Sequence, residues 1–142
     1  MTATATTSAP TGLNAFKPRI LHVAYHVSDI DRALAFYVGV LGMQEQMRLD
    51  LSKTLHEVVL NFPESKGGGV ILMWDTARKT PLSLGDAYSR FVLNVADVDA
   101  ALEQLAKHDT RVVTPATDAG PMRYAMVADP DGYVIELLQF KR

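Results

Sequence analysis

The sequence contains no cysteine. Disulfides, thiolate nucleophiles and cysteinyl metal ligands are therefore excluded. No apolar run approaches the roughly 20 residues that a membrane helix needs. Positive charge is not in excess either: 14 Lys and Arg stand against 16 Asp and Glu, mixed along the chain. That balance is unlike the basic stripe of a nucleic-acid binder. The opening MTATATTSAPTG lacks the basic start and apolar centre of a secretory signal. It reads instead as a flexible Thr/Ala/Pro-rich arm over residues 1–17. The expectation is a cytoplasmic chain with no nucleic-acid or membrane partner. What is present is enough apolar material for one full core: 48% of 142 residues are hydrophobic.

The order of predicted elements repeats. A strand over 20–27 leads through the cap-like Ser28 into a helix carrying Ile30, Ala33, Leu34, Tyr37 and Leu41 at helical spacing. Gly42 is a natural stop. Strands follow over 43–51, 55–62 and 70–74, the first alternating as if half-buried. A Pro- and Gly-containing connector covers 77–86. The second round has a strand over 90–95, a helix opened by Asp97 or Ala96, and strands over 111–114, 121–128 and 133–140. Val27–Leu34, VSDIDRAL, matches Val95–Leu102, VADVDAAL, at five of eight positions. VILM at Val70–Met73 matches VIEL at Val134–Leu137. Two matches in the same order indicate a duplicated βαβββ unit. The predicted fold is α+β, with two modules over about 18–76 and 87–142 forming a curved mixed sheet around a cavity. Together they make one domain over 18–142.

The closing segment DPDGYVIELLQF carries the chemistry. Asp129, Pro130 and Gly132 occupy preferred positions of a type I turn. Glu136 then sits among Val134, Ile135, Leu137 and Leu138. A carboxylate in an apolar strand needs a partner, a wet cavity or a proton. The duplication pairs His22 with Arg90, each five residues before its matching valine, and Leu72 with Glu136. Folded as a symmetric pair, these positions converge on one concave face, the usual setting for a small ligand. His26 and Asn94 lie further along the same strand faces. Trp74, Tyr124, Met122 and Met126 are candidates to line the pocket or to be plain core. Gly67–Gly69 is not a phosphate loop, because no helix start and no Lys-Ser/Thr follow it.

ILHVAYHVSDIDRALAFYVGVLGM, LGDAYSRFVLNV and DPDGYVIELL, in that order, resemble the vicinal oxygen chelate superfamily, which includes glyoxalase I, extradiol dioxygenases and bleomycin-binding proteins. The similarity is greatest to glyoxalase I and runs from about Arg19 to Phe140. It implies a homodimer and a divalent metal held by the first and last strand of each module. His22 and Glu136 fall on two of the four ligand positions. Leu72 stands where Glu or Gln is expected and Arg90 where His or Glu is expected, and neither can bind a cation.

Three functions follow from the resemblance. The first is a lyase or isomerase acting on a small oxygenated substrate without a tightly bound metal. In it Glu136 takes a proton next to a carbonyl, and Arg90 with His22 stabilises the oxyanion. His26, Asn94, Trp74, Leu72 and Tyr124 line the substrate site. The second is a binding or resistance module without turnover, in which Arg90 and Glu136 form an internal ion pair or hold a planar ligand. The third is a metal enzyme whose coordination by His22 and Glu136 is completed by substrate oxygens.

Overall fold

A computed structural model describes Ala9 and residues 11–142. Most of the arm expected over residues 1–17 lies outside the described residues. Within its last part, Gly12–Phe16 forms a single 3-10 turn with Leu13 and Phe16 exposed.

The chain builds two four-stranded mixed sheets with the same order. In the first, β1 (His22–His26) pairs parallel with β4 (Gly69–Asp75). β4 pairs antiparallel with β3 (Leu55–Asn61), and β3 with β2 (Gln44–Asp50). In the second, β5 (Phe91–Asn94) pairs parallel with β8 (Val134–Phe140). Antiparallel pairing then continues through β7 (Met122–Ala128) to β6 (Arg111–Ala119). The expected duplication is therefore a duplication of topology. β6 runs further than expected, because bulges between Val112 and Thr117 carry it past Pro115.

Each module has one helix. Asp29, not Ser28, caps α1 (Ile30–Leu34) by accepting from the Arg32 N–H. α1 continues into a π-helical segment, Ala35–Val40, and Gly42 follows at φ 84°. Asp97 caps α2 (Val98–Ala106) through the Ala100 N–H. α1 packs on β4, and α2 on β7 and β8.

The helix-side faces merge into one core that includes Val27, Tyr37, Val58, Leu60, Leu72, Val98, Val127 and Ile135. Burying each large aliphatic side chain contributes about 1.5–3 kcal/mol. β2 is an exception to the expected half-burial. It is an edge strand whose seven residues are all exposed.

Two close approaches explain the glycine run before β4. A Cβ at Gly69 would lie 2.1 Å from the Leu60 carbonyl oxygen, and one at Gly68 would lie 2.6 Å from that of Leu21. These glycines let β4 thread between its two neighbours.

Asp129 joins the modules. Its turn closes with the Gly132 N–H donating to the Asp129 carbonyl at 3.0 Å. The carboxylate accepts from the N–H groups of Tyr133 (2.8 Å) and Asp131 (2.9 Å) and from the Tyr37 hydroxyl (2.7 Å). Tyr37 in turn accepts from the Tyr25 hydroxyl at 2.8 Å. Tyr133 donates to the His26 carbonyl at 2.7 Å, and Asp131 binds Ser28. The most recognisable turn of the second module is thus seated on β1 and α1 of the first.

Candidate active site

Strand alternation separates each sheet into a core face and an open face. In the second sheet, register puts Glu136 beside Val92 and Met126, and Leu138 beside Asn94 and Tyr124. Arg90, two positions before Val92, joins the same face. Its Nε donates to Glu136 Oε1 at 3.3 Å. Its Nη1 donates to Ser89 Oγ at 3.1 Å, and Nη2 has no partner among the described residues. Glu136 is 9% exposed, while Phe91, Ile135 and Leu137 face the core. A guanidinium at the entrance therefore balances a buried carboxylate whose Oε2 is unpartnered among the described residues.

In the first sheet, His22, Ala24 and His26 share the open face with Ile71 and Met73 of β4 and with Val59 of β3. Asn61 lies on that face too, and its Oδ1 is 3.0 Å from His22 Nε2. The contact makes Nε2 the protonated nitrogen and fixes the ring. Asn61 had no mark in the sequence. Only the strand register shows that it supports His22.

Leu72 corrects the sequence reading. VILM and VIEL match as strings, but the two modules differ in register by one residue. Val92 pairs with Glu136, whereas its counterpart Ala24 pairs with Ile71. Leu72 pairs with Tyr25, faces the core and is fully buried. The open-face counterpart of Glu136 is therefore Ile71. Trp74 is displaced for the same reason. It lies on the Leu72 face, stacked on His56 at 5.2 Å between ring centroids. Asn94 is on the open face, but its amide nitrogen is bound to the Leu138 carbonyl at 2.9 Å. Tyr124 and Met126 share the Glu136 face, as register requires. His26 ends the open face of β1. Its Nδ1 is buried without a partner among the described residues, and the residue borders a separate cleft with Tyr25, Tyr88 and Tyr133.

His22 with Asn61 forms one group and Arg90 with Glu136 another, on sheets that share no ladder. The donor set does not suit a divalent ion. Ile71 and Leu72 are hydrocarbons, and Arg90 already places a cation against Glu136. Two ligands remain, where a catalytic zinc site normally has three.

Two mixed four-stranded sheets of identical order, each with its open face and one helix, define the glyoxalase fold. The chain belongs to the Glyoxalase/Bleomycin resistance protein/Dioxygenase superfamily, whose sequence profile matches residues 19–137. A probable lactoylglutathione lyase of Vibrio parahaemolyticus is 36% identical over 131 residues, covering 87% of this chain and 92% of that protein. A lactoylglutathione lyase of Neisseria meningitidis is 33% identical over 132 residues, covering 87% and 91%. Among solved structures, the trypanothione-dependent glyoxalase I of Leishmania major superposes with a TM-score of 0.73 at 31% identity, covering 86% of each chain. Glyoxalase I from Zea mays gives 0.77 at 26% identity, with this chain spanning 45% of its length.

Proposed function

We propose that the chain is a glyoxalase-like lyase or isomerase that removes a proton next to a carbonyl of a small oxygenated organic substrate. It works as a homodimer, without a tightly bound metal. The observation behind this reading is the Arg90–Glu136 pair: a buried acid, set in an apolar strand, with a cation beside it. Glu136 Oε2 takes the proton from carbon, and the bonding electrons move onto the carbonyl oxygen. The free Nη2 of Arg90 stabilises that oxyanion, with the imidazole of a His22 beside it. Transfer of the proton from the hydroxyl on the first carbon to the oxyanion, and return of the carbon-bound proton from Glu136 to the former carbonyl carbon, give the isomer and restore the carboxylate.

The homodimer reading is supported by what the open faces display. Val92, on the Arg90 face, is 47% exposed; Met47 and Leu49, on the His22 face, are 53% and 44% exposed. A second copy laid across these faces covers apolar surface and brings the partner subunit's His22 to the Arg90–Glu136 pair.

Glu136→Gln keeps the shape and hydrogen bonding of the side chain but cannot accept the proton. It should lower kcat on an α-ketoaldehyde hemithioacetal or related carbonyl substrate by at least about a hundredfold, with ligand affinity kept. Near-normal turnover by Glu136→Gln refutes this assignment. Saturable ligand binding by the unaltered protein, with no turnover of any carbonyl substrate, would favour the binding-module reading. Elemental analysis of the folded, active protein tests the metal. One equivalent of divalent ion per site would overturn the metal-free part.

A further inference from the structure

A further cleft, about 370 Å³, opens beside His22 and is lined by Arg19, Asn61 and Lys66 with Ile20, Leu21, Gly67 and Gly68. Its chemistry has one sign. Two cations and a side-chain amide face it, and no carboxylate lines it. Glu64, the carboxylate nearest in the chain, borders a neighbouring cleft with Phe62 and Ser65. Among the described residues, neither Arg19 nor Lys66 has an acidic partner within ion-pair distance. The amide is oriented by the His22 contact. Asn61 Oδ1 accepts from His22 Nε2, so Asn61 Nδ2 keeps its two hydrogens, with no partner among the described residues. Of the two glycines that line the cleft, Gly67 has its N–H bound to Ser65 Oγ, while the Gly68 N–H has no partner among the described residues. The glycines also provide room, since a side chain at Gly68 would strike the Leu21 backbone.

We propose that this cleft is an anion subsite, in which Arg19, Lys66 and Asn61 Nδ2 hold the phosphate or carboxylate end of the substrate. The inference rests on the proposed function, because it makes the substrate a carbonyl compound with a remote anionic group. Asn61 then has two tasks: one edge of its amide orients the imidazole and the other grips the anion. Seating the anion places the carbonyl near His22, so binding energy from an unreacting group is used for orientation.

The test is a titration followed by the side-chain amide resonance of Asn61, at constant ionic strength, without turnover. Inorganic phosphate is the probe in one arm and succinate in the other. Saturable shifts of Asn61 Nδ2 are expected, and the tighter arm identifies the anion class. Lys66→Ala and Arg19→Ala should each weaken binding about tenfold, and Lys66→Arg should largely restore it. Asn61→Asp should remove anion binding, because it keeps an acceptor for His22 while putting negative charge in the cleft. Shifts that track ionic strength alone, or binding unchanged in both alanine variants, overturn the subsite. If anions bind as described while Glu136→Gln leaves turnover intact, the catalytic assignment fails and the subsite stands. If Glu136→Gln abolishes turnover but neither anion binds, only the subsite fails.

Discussion

Replacing Asp129 with alanine should loosen the joint between the modules without touching either open face. Three donors lose their acceptor: the N–H groups of Asp131 and Tyr133 and the hydroxyl of Tyr37. Tyr37 is fully buried and Tyr133 is 7% exposed, so water does not readily replace the carboxylate at these two. Each buried donor left unsatisfied costs about 1–3 kcal/mol. The Asp131 N–H is nearer solvent and adds less. The sum is about 3–5 kcal/mol, a large part of a typical domain's total stability. It corresponds to a fall in Tm of about 10–17 °C for a chain of this size.

Asp129→Asn should cost much less. Its Oδ1 can still accept from the two backbone donors, while its Nδ2 donates to Tyr37. Tyr37 then donates to Tyr25, and the chain of hydroxyls runs in reverse. The two variants also separate in pH. Burial holds the Asp129 carboxyl above the usual carboxylate range, more than its hydrogen bonds lower it. An acid raised in the folded state binds more protons there than when unfolded. Its contribution is complete below the unfolded pKa of about 3.9 and is lost as pH rises through the folded value. The wild type should therefore gain on Asp129→Asn as pH falls from 7 toward 4. Thermal melts by circular dichroism across that range are the assay. An Asp129→Ala protein melting within about 1 kcal/mol of wild type would refute the assignment of Asp129 as the joint, as would a pH slope of opposite sign.

Two further outcomes test the face assignments. Equal mixing and re-annealing of a His22→Ala chain with a Glu136→Gln chain should restore up to about a quarter of wild-type activity, because half the dimers are mixed and each carries one intact site. No recovery, with exchange verified by native mass spectrometry, would mean that the site lies within one chain. Leu72→Glu should unfold the protein or lower its stability by more than about 3 kcal/mol, since it buries an unpaired charge, whereas Ile71→Glu should remain folded with a smaller loss in urea titrations. The reverse ranking would refute the register drawn for β4.

Much of the architecture was readable from the sequence because repetition and periodicity are local. The VSDIDRAL and VADVDAAL blocks marked both strand-to-helix junctions, and the DPDG turn formed where its residues placed it. Facing is harder. It depends on how neighbouring strands align, and a shift of one residue reverses it. That is why Leu72 and Trp74, read as pocket residues, lie on the core side, and why Ile71 and Asn61 went unnoticed. The half-burial expected for β2 failed for a related reason. Alternation in its sequence indicates two unlike faces, but a strand at the edge of an uncovered sheet leaves both in water. The Arg90–Glu136 contact was within reach because both residues stood out by type: a cation and an acid at matched positions of the repeat. How His22 sits relative to them depends on the packing of two sheets that share no ladder, which no local pattern encodes.

The slip between the two halves has a consequence for ancestry and for engineering. A chain that copied itself would be expected to present the same pattern twice. Here one copy has the hydrocarbon side chains of Ile71 and Leu72 where the other has an acid with its own counter-ion. The halves remain kin in outline but have ceased to be interchangeable in chemistry. Splicing two second halves together would set two guanidinium–carboxylate couples in one molecule, an arrangement that a symmetric forebear need never have held.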